Sequence, residues 1–327
     1  MIDLSVKYLG LELRNPIIVS SSPFTASADK IVRLEQHGAG AVVLKSIFEE
    51  QLIGETAFLD RYHDYPEAAD YLGAYVRSDY VDSYLDMIVQ AKQRTSLPII
   101  ASINCVTGGE WVEFARRIEE AGADAIELNI FLLPTDKDQD SDAIERQYLD
   151  IVGKITSTVS IPVSVKLGSR FTNILSIVKE IYYRHGKGVV LYNRFYEPDI
   201  NIDNISLVEG DTFSMAGELR NSLRWIALTS AQVPLIDISV STGVHTGEDA
   251  VKALLAGART VQVCTALYKH GLGAIDDMLA FMTGWMQQHT FQYVSDFSGM
   301  LNQKGVADPD FYERVQYMRY FPKEPVM

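Results

Sequence analysis

The chain has few cysteines and no long hydrophobic run. Its two cysteines, Cys105 and Cys264, stand without a second thiol or a histidine at metal-ligand spacing. Two such thiols form neither a disulfide framework nor a zinc site. No apolar run approaches the roughly 20 residues of a membrane-spanning helix, and the first residues lack the basic start and apolar core of a signal peptide. We therefore expect a cytoplasmic protein with reduced cysteines, no metal and no membrane partner.

Basic residues are also scarce. The chain has 29 Lys and Arg against 43 Asp and Glu, a formal net charge of −14. Nucleic-acid binding relies on a basic surface that displaces counterions, so this balance argues against a nucleic-acid partner. With 47% hydrophobic residues and no break in composition, residues 1–327 are expected to form one globular domain.

Eight short apolar runs, rich in β-branched residues, recur along the chain. Three follow an AGA-type turn and three begin at proline, which suits the end of a helix and the first position of a strand. Amphipathic stretches such as residues 111–121 and 171–184 are long enough for connecting helices. The runs are NPIIVSS, AVVLKS, LPIIASIN, ADAIELN, IPVSVKL, KGVVLYN, VPLIDISV and RTVQVC.

This alternation predicts an α/β fold, a (β/α)8 TIM barrel. Nearly continuous apolar runs are typical of parallel strands buried on both faces. No GxGxxG follows the first run, which argues against an open doubly wound sheet. The long aromatic segment at about residues 47–77 is predicted to form a rim or lid, or else a packed excursion or dimer contact. An aromatic tail at about residues 308–327 is expected on the surface or at a subunit interface.

Polar residues end most of the runs. A single lysine or asparagine there is ordinarily a solvated charge or a turn former. Because barrel chemistry lies at the carboxyl ends of the strands, the whole set predicts a ring of donors, acceptors and cations around a planar heterocycle. In chain order, the set is Ser21, Lys45, Asn104, Asn129, Lys166, Asn193, the turn 241–243 and Thr265.

The last two runs are each followed by a turn that can offer backbone amides to a phosphate. Ser241, Thr242 and Gly243 follow the seventh run, and a helix is expected from about Thr246. Adjacent turns after strands seven and eight of a barrel form a common phosphate site. The alternative is that these are ordinary glycine-containing turns. Together with the polar ring, they predict a heterocyclic ligand with a phosphate tail.

In the order and spacing of these motifs, the chain resembles the dihydroorotate dehydrogenase family, in particular its soluble class 1 members, over almost its entire length. The resemblance rests on VKYLGLELRNPIIVSSS, AGAVVLKS, ADAIELN, VSVKL and STGVHTGEDAVKALLAGARTVQVCTALYKHG. It implies a barrel that carries FMN at the carboxyl ends of its strands and oxidises dihydroorotate to orotate in pyrimidine biosynthesis. It is also compatible with a homodimer.

The resemblance implies roles for individual residues. Lys45 would lie beside the flavin ring and the substrate and Asn193 near both, and these two are the candidate catalytic residues. Lys166 would face the N1 and C2 carbonyl edge, where its charge can stabilise reduced anionic flavin. The implied cofactor-binding residues are Ser20, Ser21, Lys45, Asn104, Asn129, Lys166, Gly217, Ser241, Thr242, Gly243, Cys264, Thr265 and Ala266.

Two departures from the family pattern fall on the substrate side. Where the family has NLSCPN, residues 129–134 read NIFLLP, so Leu132 replaces the base. The comparable stretch to the orotate-holding loop NSMGLPN is GAYVRSD, residues 73–79. Losing a general base commonly costs about 10²- to 10⁴-fold in rate. Cys105 is a weak substitute, because free cysteines are more often small buried hydrophobes.

Three functions therefore remain open. The first is an FMN-dependent oxidoreductase acting on a CH–CH donor, with dihydroorotate or another substrate. The second is a flavin-binding barrel without dehydrogenase activity. The third is a flavin-free lyase or isomerase of a phosphorylated metabolite, with Lys166 as base or Schiff-base nucleophile. The chain has no iron–sulfur cysteine motif, and the electron acceptor also stays open.

Overall fold

Parallel strands and connecting helices alternate along the chain. In the computed structural model, residues 2–48, 66–104, 111–194 and 197–313 are described. The strands are β1 Val6–Tyr8, β2 Leu11–Leu13, β3 Ile17–Val19, β4 Ala41–Val43, β5 Ile47–Phe48, β6 Ile99–Asn104, β7 Ala125–Asn129, β8 Val163–Leu167, β9 Gly188–Leu191, β10 Pro198–Asn201, β11 Ser206–Glu209, β12 Asp237–Ser241 and β13 Thr260–Val263. The helices are α1 Ala28–Gln36, α2 Pro66–Arg94, α3 Trp111–Glu120, α4 Ser141–Thr156, α5 Ile174–Tyr183, α6 Leu219–Gln232, α7 Gly247–Ala256, α8 Thr265–His270 and α9 Gly273–Gln288.

Eight of the strands close into a barrel, which confirms the predicted (β/α)8 fold. The ring runs β3, β4, β6, β7, β8, β9, β12 and β13, and β13 pairs with β3 to close it. These strands are the eight predicted apolar runs. Their residues are buried almost throughout, because the helices cover the outside and side chains fill the inside.

Helix α7 illustrates how local sequence sets the element boundaries. The Thr246 side chain accepts a hydrogen bond from the Asp249 backbone N–H, and Asp249 bonds back, in a capping box. The helix ends at Gly257, whose φ of 113° is a left-handed conformation that favours glycine. The helix therefore begins directly after the turn that follows β12.

Two hairpins lie outside the barrel and were not predicted. The first, β1–β2, packs under the amino-terminal ends of the strands, where Tyr8 and Leu9 approach Gly188. The second, β10–β11, is inserted between β9 and α6 and is largely exposed. Because β9 and α6 flank this second hairpin, it stands beside the carboxyl-terminal mouth of the barrel.

The predicted rim and tail segments are described only in part. Of residues 47–77, β5 and the first turns of α2 are described, and residues 49–65 lie outside the described part of the chain. The helix starts at Pro66, so it takes in the end of the predicted segment. In the tail, Pro309–Tyr312 forms a 3-10 turn, and residues 314–327 are not described. Across the described ranges, every helix is too short or too polar to span a bilayer.

Candidate active site

A polar pocket lies at the carboxyl ends of the barrel strands. The segments that follow β3, β9, β12 and β13 contribute to it, together with side chains from β8 and β13. The parallel barrel brings these distant segments to one end, as the sequence predicts. The lining residues are Ser20, Ser21, Lys166, Asn193, Arg194, Thr212, Ser214, Ser241, Thr242, Gly243, Val244, Gln262, Cys264 and Thr265.

Lys166, near the end of β8, supplies a buried positive charge to this pocket. Its side chain is only 8% exposed. The ammonium donates to Ser20 Oγ at 3.2 Å and to Gln262 Oε1 at 3.3 Å. A lysine ammonium has three donors, so these two bonds leave one for a further partner or a ligand. Lys166 can therefore stabilise negative charge on a ligand bound in the pocket.

Gln262 and Glu127 complete the environment of Lys166, and the sequence analysis missed both. The Gln262 amide donates to Glu127 Oε2 at 2.5 Å, and Glu127 Oε1 lies 3.7 Å from the Lys166 ammonium. Glu127 is on β7 and Gln262 on β13, which are not neighbours, so these side chains meet inside the barrel. The available signal was a polar residue within each apolar run, in AIELN and in TVQV, since buried polar residues are informative.

Two asparagines meet beside the same pocket. Asn193 follows β9, and its side-chain amide donates to Asn129 Oδ1 at 2.8 Å. Asn129 ends β7 and is in register with Lys166 of β8. Each amide carries more than one hydrogen-bonding group, so the pair keeps donor and acceptor capacity for a ligand. The predicted convergence of these strand-end residues is thus present in the structure.

The turn after β12 has an unusual backbone. Thr242 and Gly243 have φ values of 75° and 81°. This conformation is strained for a β-branched residue, and the hydrogen bond from Thr242 Oγ1 to the Tyr192 carbonyl, at 3.1 Å, helps to hold it. Opposite, Thr265 and Ala266 begin α8, where the first N–H groups have no partner within the helix. Both turns are therefore placed to offer backbone donors.

Ser214, which lines the pocket, and His245 lie beside these turns. Ser214 Oγ is 2.9 Å from His245 Nε2 and donates to Thr265 Oγ1 at 3.1 Å. Burial lowers the pKa of His245 below its ordinary value, and the nearby charge of Lys269 lowers it further. The histidine is accordingly neutral at pH 7 in the protein without ligand.

Several predicted site residues do not line this pocket. Lys45, in the link between β4 and β5, is exposed, and Gly217 is exposed in the 3-10 turn Ala216–Glu218. Asn104 is buried at the end of β6. Cys105 lies outside the described residues. The roles assigned to these four residues, like those assigned to the residues that line the pocket, stay predictions.

Leu132 occupies the position at which the resemblance implies a general base. Leu132 packs against the hydrophobic core, and its backbone N–H donates to the Tyr148 hydroxyl at 3.1 Å. Residues 73–79, compared above with a substrate-holding loop, are helical within α2. Burial also raises the pKa of the Cys264 thiol, although Lys166 opposes the shift, so this cysteine is not a thiolate at neutral pH.

The chain is similar to several proteins of known function. A family model described as dihydroorotate dehydrogenase matches residues 3–283. The catalytic subunit of dihydroorotate dehydrogenase B (NAD(+)) from Thermoplasma acidophilum is 27% identical over 313 residues, which cover 92% of this chain and 99% of that protein. Chloroplastic dihydropyrimidine dehydrogenase (NADP(+)) from Arabidopsis thaliana is 27% identical over 344 residues, with 95% and 80% covered. Subunit PreA of the NAD-dependent dihydropyrimidine dehydrogenase of Escherichia coli K12 is 25% identical over 342 residues, with 94% and 79% covered.

Proposed function

Because the chain belongs to the dihydroorotate dehydrogenase family, we propose that this oxidoreductase uses FMN to oxidise a carbon–carbon bond of a dihydropyrimidine ring. Dihydroorotate and the dihydropyrimidines named for the relatives are the substrates to test. The observation that carries the proposal is the buried Lys166, which faces the same pocket as the Thr242–Gly243 turn.

The residues present fit the two polar ends of FMN. Its phosphate requires several donors, and the turns at residues 242–243 and 265–266 can supply backbone N–H groups. The electron-rich edge of its ring requires a cation or strong donor, and Lys166 is held by Ser20 and Gln262 with a donor to spare. The donor set therefore matches a ring with a phosphate tail better than it matches a small metabolite alone.

Bound FMN and the polar residues of the pocket would have different roles in this reaction. Bound FMN supplies the hydride acceptor, its N5 atom. Lys166 places a fixed positive charge where negative charge develops, which lowers the barrier without reorganisation of the site. The Asn129–Asn193 pair orients ligand amide and carbonyl groups by hydrogen bonds. The strained turn at Thr242 binds the phosphate and so sets the position of the flavin ring in the pocket.

Dehydrogenation removes a proton as well as a hydride, and the residue that accepts this proton affects which substrate can react. Leu132 cannot accept a proton, and its side chain packs against the core. Oxidation of dihydroorotate would therefore be slower than in family members that have the base, by about 10²- to 10⁴-fold. A dihydropyrimidine whose proton is taken by a residue other than Leu132 would not suffer this loss, which is the reason to test more than one substrate.

The absorption spectrum of the purified protein tests the cofactor. We expect a yellow protein that retains FMN. Anaerobic addition of dihydroorotate, and separately of dihydrouracil, is then expected to bleach the flavin band with at least one of them. A yellow protein that neither compound reduces would favour a flavin-binding barrel without this activity. A colourless protein that binds neither FMN nor FAD would favour the flavin-free lyase or isomerase.

We further propose that the chain forms a homodimer through the β10–β11 hairpin. Ile200 and Leu207 pair across its two strands on one face, and they are 64% and 76% exposed. An isolated two-stranded hairpin is marginally stable, and an apolar face favours a covering surface. A second copy of the same uncharged pair provides one, because a two-fold interface brings a surface patch against itself.

A further inference from the structure

The carboxylate of Glu127 is almost completely buried beneath Lys166. It is 1% exposed, and its Oε2 atom accepts the hydrogen bond from Gln262. Its Oε1 atom has no hydrogen-bond partner among the described residues and lies 3.7 Å from the Lys166 ammonium. A buried charge is costly unless it is paired. The pairing with Lys166 therefore explains why a carboxylate is tolerated inside the barrel.

The contacts also fix the orientation of Gln262. Its amide nitrogen bonds to Glu127, so its amide oxygen faces Ser20 and Lys166. If the amide were reversed, its NH2 group would face the ammonium and its oxygen would face the carboxylate, and both contacts would be repulsive. Glu127 thus places a negative charge next to Lys166 and, by orienting Gln262, also the amide oxygen that accepts the hydrogen bond from Lys166.

We propose that Glu127 is a positioning residue that balances the charge of Lys166 and thereby lowers the reduction potential of bound FMN. This inference rests on the proposed function. Two-electron reduction adds negative charge to the flavin, and a nearby cation favours it. A carboxylate on the other side of that cation opposes part of this effect. The pocket therefore presents a compensated cation to its ligand.

The test compares the midpoint potentials of FMN bound to four variants, measured at pH 6 by equilibration with a reference dye. The variants are Glu127→Gln, Lys166→Met, the double variant and Thr260→Val. Thr260 lies on the same strand as Gln262, is fully buried, and its hydroxyl has no hydrogen-bond partner among the described residues. Valine at that position retains the shape of the side chain, so Thr260→Val is the matched control and is expected to keep the wild-type potential.

The expected shifts have opposite signs. Glu127→Gln is expected to raise the equilibrium constant for reduction about tenfold, or by about 30 mV for a two-electron couple. Lys166→Met is expected to lower the potential. Because Glu127 acts through Lys166, its replacement is expected to have no further effect once Lys166 is absent, so the double variant is expected to match Lys166→Met. An unchanged or lowered potential in Glu127→Gln, or additive shifts in the double variant, would overturn the proposal.

Two further measurements keep the outcomes distinguishable. If Glu127→Gln does not fold, Glu127→Asp replaces it in the test. The shorter side chain moves the carboxylate away from Lys166 by one methylene, so the potential is expected to rise by a smaller amount. Urea unfolding of the FMN-free proteins gives a double-mutant cycle, in which the double variant is expected to lose less than the sum of the single losses. Wild-type protein that binds no FMN would overturn the proposed function and this inference with it. Bound FMN with an unshifted potential in the Glu127 variants would overturn this inference alone.

Discussion

Gly243 has no room for a side chain in the turn after β12. Its φ is 81°, and a Cβ atom built there would lie 2.3 Å from the Leu219 backbone nitrogen. Gly243→Ala is therefore expected to cost about 2 kcal/mol of unfolding free energy, from backbone strain and overlap. It should also weaken FMN binding more than tenfold, because the turn moves.

Urea denaturation and FMN titration measure these two effects. Gly273→Ala is the control, since Gly273 begins α9 and has no heavy atom within 4 Å of a built Cβ. That variant should retain wild-type stability and affinity. A Gly243→Ala protein that behaves like the control would contradict the assignment of this turn.

His245 gives the FMN-free protein a defined pH dependence. Burial and Lys269 lower its folded-state pKa below the ordinary 6.5. The unfolded chain then binds more protons than the folded protein just below that pH, so stability falls as the pH falls from about 6.5 through the folded pKa. His245→Asn is expected to remove this part of the dependence.

The urea midpoint between pH 5 and pH 7.5 tests this expectation in wild type and variant. Equal slopes in the two proteins would contradict it. The same pH range can be measured with FMN bound. A phosphate beside the imidazole of His245 would favour the charged form of the histidine. With FMN in excess, the loss of stability towards low pH should therefore be smaller.

Among the secondary-structure elements, the β10–β11 hairpin is the proposed homodimer interface, and substitutions on its apolar face test that proposal. Ile200→Asp combined with Leu207→Asp places two charges on the exposed apolar face, which should dissociate the dimer. The matched control is Asn201→Asp with Ser206→Asp, because these residues pair on the opposite face of the hairpin. Sedimentation equilibrium is expected to give a monomer for the first variant and a dimer for the second. A wild-type monomer would contradict the proposal.

At the scale of the whole molecule, ligand binding should stabilise the closed barrel. The pocket joins segments after β3 near one end of the chain to segments after β13 near the other. A ligand that binds only the folded protein adds about 2.7 kcal/mol at one hundred times its Kd. We expect FMN to raise the Tm by a few degrees and riboflavin, which lacks the phosphate, to raise it less. Equal shifts would argue against the phosphate turns.

The pattern of the sequence was sufficient to predict the barrel. Eight apolar runs rich in β-branched residues indicate parallel strands buried on both faces, and the amphipathic stretches between them supply the helical crossovers that such strands need. Eight such units with no GxGxxG after the first run favour a closed barrel over an open sheet. The sequence also determined that Lys166, Asn193 and Thr242 would lie at one end, since every barrel strand ends there. The presence of Lys166 in the pocket was therefore predictable before its surroundings were known.

The surroundings of Lys166, in contrast, could not be predicted from the sequence. Glu127 and Gln262 are separated by 135 residues and meet across the barrel, so no local pattern links them. Lys45 and Lys166 both end an apolar run in the sequence, but Lys45 is exposed. It lies in the link between the end of β4 at Val43 and the start of β5 at Ile47, and the path of this link cannot be read from hydrophobicity. The end of a strand can be predicted from hydrophobicity. The direction and pairing of a buried polar side chain depend on charges and hydrogen bonds that folding alone brings together.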